Sequence, residues 1–377
     1  MRLLYCIPSL MHCGGTERVL TTRLNYLAEH TPYSLYIVTT ERQLSAPYFK
    51  LHPKISVINL DINFDDDNSL TSKLLNYKRR LRLYKSKLSA LISELKPNIV
   101  TSLLSHEVDF LSKFDDGSIK IGENHFNRNF RYSFVKSNTK NILRRLIAKY
   151  RDFALGHKVS KLDALVTLTQ EDADAWSEVV NKHVIPNPLS FKQEQKAKGG
   201  MNRVVAAGRL TKQKGFDMLL ESWGLLYASH PEWSLTIYGE GEEREFLQSL
   251  IDGKGLKNVS LHPFVPNISS KFVESDFYVL SSRFEGFGLV ITEAMECGLP
   301  VVAFNCQSGP SEIISDGKDG ILVKDGDVIA LAGAMQRLMD DSKLRSEMGL
   351  SAIAKAGHYS IDNVMSKWIN LYKTISR

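Results

Sequence analysis

Residues 277–304 read FYVLSSRFEGFGLVITEAMECGLPVVAF. FYVLSS is short, apolar and rich in β-formers, so it predicts a buried strand. RFEGFG is a loop with two glycines. Leu289 to Cys297 carries apolar or small residues at helical spacing, and Gly298 with Pro300 supplies a stop. VVAF is the next buried strand. Two apolar strands joined through a helix must lie parallel, because a parallel pair needs a crossover. In such sheets ligands sit beyond the carboxyl ends of the strands, beside the following helix. Glu285 therefore belongs to a ligand loop, and Glu293, about one turn into the helix, can reach back to it. Between them, the amides of Phe287, Gly288, Leu289 and Val290 offer donors to an anion. Carboxylates beside an anion site suit a ligand that carries both phosphates and hydroxyls.

The same alternation runs along the whole chain. Strands are expected at 3–8, 34–40, 55–60, 98–104, 118–125 and 163–169, and HVIPNPLS (183–190), with Pro186 and Pro188, closes this half. FKQEQKAKGGMN (191–202) is polar and glycine-containing, so it reads as a linker. Strands then resume at 203–208, 234–239, 259–264, 277–282, 301–304 and 320–323. Two strand–helix series predict an α/β protein of two doubly wound, Rossmann-like domains facing a cleft. The expected division is 1–190, completed by a helix at 360–377, and 191–359. On the last helix, Trp368, Leu371 and Tyr372 form the packing face.

GRLTKQKGFDMLLESW (208–223) follows a strand and opens a helix. Arg209 and Lys214 are cations at the strand's carboxyl end, suited to forking and neutralising phosphate oxygens. YGEGEEREFL (238–247) lacks the third glycine of a dinucleotide fingerprint and reads as a strand end and helix start. SGPSEII (308–314) places small residues in another loop. Gly14 and Gly15 follow the first strand.

Together, EGFGLVITE, GRLTKQKGFD, the first-strand glycine pair, VIPNPLS and SGPSEII resemble the GT4 family of retaining glycosyltransferases, which has the GT-B fold. The resemblance covers nearly the whole chain. It implies that Glu285 is the catalytic-site carboxylate against the donor sugar and that Glu293 binds the donor ribose. It assigns the diphosphate to Arg209, Lys214, Gly15, Leu289 and Val290, and the donor sugar to Phe287 and Gly288. His125, in ENHFNR, resembles a family histidine near the donor sugar or an acceptor hydroxyl; His106 also ends a strand and competes for that role. The expected reaction moves a hexose or N-acetylhexosamine from a nucleotide sugar, with UDP expected, by retention. The alternatives are a nucleotide-sugar epimerase or hydrolase of the same fold, or a non-catalytic nucleotide-sugar-binding protein.

Fixed cations and amides can take the charge of a leaving diphosphate, so neither a metal nor a cofactor is expected. The acidic run at 65–67 reads as a solvated turn. Four cysteines (Cys6, Cys13, Cys297 and Cys306) are too few and scattered for a disulfide framework and fit a reducing cytoplasm. The first residues read as a strand rather than a signal peptide, and no apolar run has the length of a membrane span.

The net charge of +6 is uneven. Residues 1–190 hold 27 basic and 19 acidic side chains (+8), and 191–377 hold 21 and 23 (−2). Two basic stretches without acidic residues stand out in the first half. Residues 73–87 contain seven Lys or Arg and residues 128–151 contain eight, the second interleaved with apolar and aromatic side chains. This predicts an interfacial helix, with Arg144, Arg145 and Lys149 toward an anionic membrane or a lipid-linked saccharide acceptor. The expected place is the cytoplasm, with peripheral contact on the inner face of the cytoplasmic membrane. No nucleic-acid motif is present.

Overall fold

A computed structural model gives the fold; it describes residues 1–43, 45–64, 70–131 and 142–376, leaving aside the side chains of 70–75, 130, 131 and 143–145. The acidic run at 65–67 lies outside the described residues. The chain divides into two compact units, Met1–Ser190 with Ile361–Arg377, and Phe191–Ser360.

The first unit holds a seven-stranded sheet of β1 (Arg2–Ile7), β2 (Ser34–Thr39), β3 (Ile55–Asn59), β4 (Ile99–Ser102), β5 (Ile119–Glu123), β6 (Ala164–Thr167) and β7 (Lys182–Val184). Their spatial order is β3-β2-β1-β4-β5-β6-β7, and every pairing is parallel. Strands buried on both faces read as continuous apolar runs, which is why β1 and β4 stand out in the sequence. The C-terminal helix Ile361–Ile375 packs on the helix Gly15–His30. Val364, Met365, Trp368, Leu371 and Tyr372 enter one core with Leu3, Tyr5 and Leu24. The expected packing face of that helix is therefore the observed one.

The second unit holds β8 (Arg203–Ala207), β9 (Ser234–Tyr238), β10 (Val259–His262), β11 (Phe277–Leu280), β12 (Val301–Asn305) and β13 (Gly320–Lys324). Their order is β10-β9-β8-β11-β12-β13, again all parallel. The direction of winding reverses between β8 and β11. The loops leaving those two strands meet at their carboxyl ends, where ligands sit in sheets of this kind. The loop after β8 carries Arg209 and Lys214, and the loop after β11 carries Glu285.

Candidate functional site: the switch point of the second sheet

After β8 the chain turns through a 3₁₀ segment, Lys212–Lys214, and enters the helix Phe216–Gly224 at Gly215. Gly215 has φ +62°, and a Cβ there would lie 2.1 Å from the Ser281 carbonyl oxygen. Only glycine lets the helix start press against the end of β11 in that way. The two loops are then bonded along their length. The Arg283 amide donates to the Gln213 carbonyl at 2.8 Å. Ser281 Oγ donates to the Lys214 carbonyl at 3.0 Å, and Gln213 Nε2 donates to the Phe284 carbonyl at 3.1 Å. Arg283 forks Asp217 at 2.8 and 2.6 Å. Burial opposes ionisation of Asp217, but the hydrogen bonds and charge of Arg283 overcome it and hold the carboxyl below its usual range.

This frame brings two of the expected site residues into contact. Lys214 Nζ lies 2.7 Å from Glu285 Oε1, and Ser282 Oγ donates to the same oxygen at 2.6 Å. Glu285 is 6% exposed. Its buried oxygen is thus both paired and hydrogen-bonded, as a buried charge requires. The ammonium has three donors, so holding Glu285 leaves two for a phosphate. Arg209 is exposed, and it makes no side-chain ion pair among the described residues.

The next helix, Leu289–Glu296, starts at Gly288, and its first amides, Leu289 and Val290, precede any intrahelical acceptor. Glu293 is buried in it. Both glutamates act on Tyr278 in β11: burial first, then the charges of Glu285 and Glu293, push its phenol far above its ordinary value. Burial, followed by the Glu285 charge, does the same to the Cys306 thiol. So both carboxylates, Tyr278 and Cys306 share one electrostatic neighbourhood. The Phe287 ring packs edge-on against Tyr359, with centroids 5.7 Å apart. Gly309, at φ +118°, closes the site from the SGPSEII side: a Cβ would meet the Phe287 carbonyl oxygen at 2.1 Å.

Residues 189–355 match the family model described as Glycosyl transferases group 1. The match spans the switch point and both glutamates. An uncharacterized glycosyltransferase of Haemophilus influenzae is 27% identical over 97% of this chain and 98% of its own length. The amylovoran biosynthesis glycosyltransferase AmsD of Erwinia amylovora is 26% identical over 97% of this chain and 98% of its own. Among solved structures, the S. aureus TarM G117R mutant in complex with Fondaparinux, alpha-GlcNAc-glycerol and UDP superposes with a TM-score of 0.78 at 17% identity. That superposition covers 98% of this chain and 99% of the other. The fold is thus the GT-B architecture.

In the first unit, Gly14 caps the helix Gly15–His30, and the Cβ position of Gly15 meets nothing within 4 Å. His125 follows β5, and its Nε2 lies 2.8 Å from Glu123 Oε1. His106 instead stacks on Phe64, with centroids 3.8 Å apart, and meets Tyr77 edge-on. Its ring is engaged in an aromatic cluster, whereas the His125 ring is engaged by a carboxylate. Of the basic residues expected at a membrane, Lys149 is exposed on the helix Ile142–Val159. Arg144 and Arg145 lie on that helix, with side chains outside the description.

Several of the contacts around these residues were not visible in the sequence. Ser282 bonds Glu285 within its own loop, whereas Arg283 finds its partner, Asp217, in the facing helix. Arg23, which forks the buried Glu123 from one hundred positions earlier in the chain, carries no local signal at all. The one available hint was a charged residue on the apolar face of the first helix.

Proposed function

We propose that the protein is a retaining, metal-independent glycosyltransferase. It takes a hexose or N-acetylhexosamine from a UDP-sugar and passes it to a lipid-linked or surface-polysaccharide saccharide. The observation that carries this reading is the Lys214–Glu285–Ser282 contact at the carboxyl ends of the two switch-point strands, with exposed Arg209 beside it and Glu293 in the next helix. Arg209, Lys214 and the Leu289 and Val290 amides meet the charge of the departing diphosphate with dipoles and cations already in place. Glu293 takes the ribose hydroxyls. Glu285 faces the donor sugar and steadies positive charge developing at its anomeric carbon. Meeting the diphosphate charge in this way requires neither metal nor cofactor. A relative named for amylovoran biosynthesis and a structural neighbour holding UDP support the donor and acceptor classes.

The acceptor reading rests on the helix Ile142–Val159. Ala148, Leu155 and Val159 are buried, while Ile142, Leu146, Tyr150 and Phe153 are 57–73% exposed on roughly the opposite side. A helix apolar on two faces, with Lys149 and Arg151 between, matches an anionic bilayer surface. No described helix is long and apolar enough to cross a membrane. Phe153→Glu is expected to abolish salt-sensitive flotation with anionic vesicles; unchanged flotation would remove the membrane reading.

The decisive assay follows UDP release and product anomer from a panel of UDP-sugars, with and without saccharide acceptors. Acceptor-dependent α-linked product is expected, and Glu285→Gln is expected to lower kcat by on the order of 10²-fold. Acceptor-independent epimerisation, or full activity in Glu285→Gln, would overturn the proposal.

A further inference from the structure

Glu123 ends β5 fully buried. Arg23 forks both its oxygens, one at 2.9 Å, and His125 Nε2 shares Oε1 at 2.8 Å. The guanidinium carbon of Arg23 lies 4.1 Å from the centre of the Trp368 ring, so the C-terminal helix lids the pair by a cation–π contact. Beside it, the Tyr5 and Tyr372 hydroxyls are 2.6 Å apart. Burial alone would raise the Glu123 pKa, but Arg23 and His125 reverse this and bring it to about 2.

An ionised carboxylate only accepts hydrogen bonds. The ring nitrogen facing it must therefore carry the proton, and in a neutral imidazole the other nitrogen is then an acceptor. The His125 side chain is 5% exposed, and Nδ1 has no partner among the described residues. It is not among the enclosed polar atoms, so it can take a partner from outside the unit's own fold.

We propose that Glu123, locked by Arg23 under Trp368, is a positioning residue that fixes His125 as the Nε2–H tautomer and presents Nδ1 as the acceptor for a sugar hydroxyl. The hydroxyl belongs to the substrates of the proposed transfer, and so this step rests on that reading. The tautomer does not.

The test is nitrogen NMR of ¹⁵N-histidine-labelled protein at pH 8, with His125→Gln identifying the ring. A protonated, pyrrole-type Nε2 and a bare, pyridine-type Nδ1 are expected. In Glu123→Gln the side-chain oxygen stays with Arg23 and the amide turns to the ring. The tautomer should then reverse to Nδ1–H, and kcat should drop by on the order of 10²-fold, with the donor KM little changed. An Nδ1–H or doubly protonated ring in the wild type overturns the proposal, whether or not Glu123→Gln folds. UDP-sugar turnover with the wrong tautomer sinks this inference alone. The Nε2–H tautomer without any turnover sinks the proposed function and leaves Glu123 as the residue that sets the ring.

Discussion

Lys214→Met is the sharpest perturbation of the second unit. The methionine keeps the aliphatic stem but removes the ammonium 2.7 Å from Glu285. Glu285 would then be a buried carboxylate held only by Ser282. Removing one partner of a buried pair costs about 3–5 kcal/mol. The Lys214 side chain is 16% exposed and that of Glu285 7%, so water can partly replace the ammonium and the lower end applies, about 3 kcal/mol. For a unit of this size about 1 kcal/mol moves Tm by roughly 2–4 °C, which gives a fall of roughly 6–12 °C in the transition of that unit by calorimetry. The double variant Lys214→Met/Glu285→Gln removes the orphaned charge and should recover more than half of the loss. The reasoning is refuted if the single variant melts within about 2 °C of the wild type, or if the double variant is no more stable than the single one.

Two further outcomes follow from the same geometry. Gly309→Ala combines a positive φ with a 2.1 Å approach to the Phe287 carbonyl oxygen. It should cost about 2–4 kcal/mol and weaken nucleotide binding by displacing the loop, which chemical denaturation and titration would register. The folded pKa of Glu123, about 2, lies below its ordinary value of 4.5. The group therefore stabilises the first unit fully above about pH 4.5, and that contribution is lost as pH falls from there toward 2. Glu123→Gln should flatten this part of the acid titration by circular dichroism, and an unchanged slope would show that the carboxylate is not specially held.

Much of the fold was legible in the sequence because parallel strands are buried on both faces. VVAA, FYVL and VVAF stand out as unbroken apolar runs between glycines and charges, and all twelve expected strands are present; the three residues of β7 are too few to display a pattern. The glutamate pair and the two cations were legible because each sits at a strand end or helix start that local pattern marks. What pattern could not show is which of them touch. Lys214 and Glu285 are 71 positions apart, and Arg23 and Glu123 are 100 apart; their meeting is a product of strand order. The helix Ser269–Val273 escaped notice because five residues are too few to display a period. His106 and His125 both follow strands, and only the Phe64 ring over one and the Glu123 carboxylate against the other separate them.

The central claim is that Arg209, Lys214 and the helix Leu289–Glu296 hold a nucleoside diphosphate at the switch point of the second sheet. Isothermal titration of UDP into the wild type and Arg209→Ala measures it directly. The account predicts saturable binding with one site per chain, weakened about tenfold or more in the variant, as loss of a charge-assisted phosphate contact requires. No heat of binding up to millimolar UDP, or equal affinity in the two proteins, would contradict it.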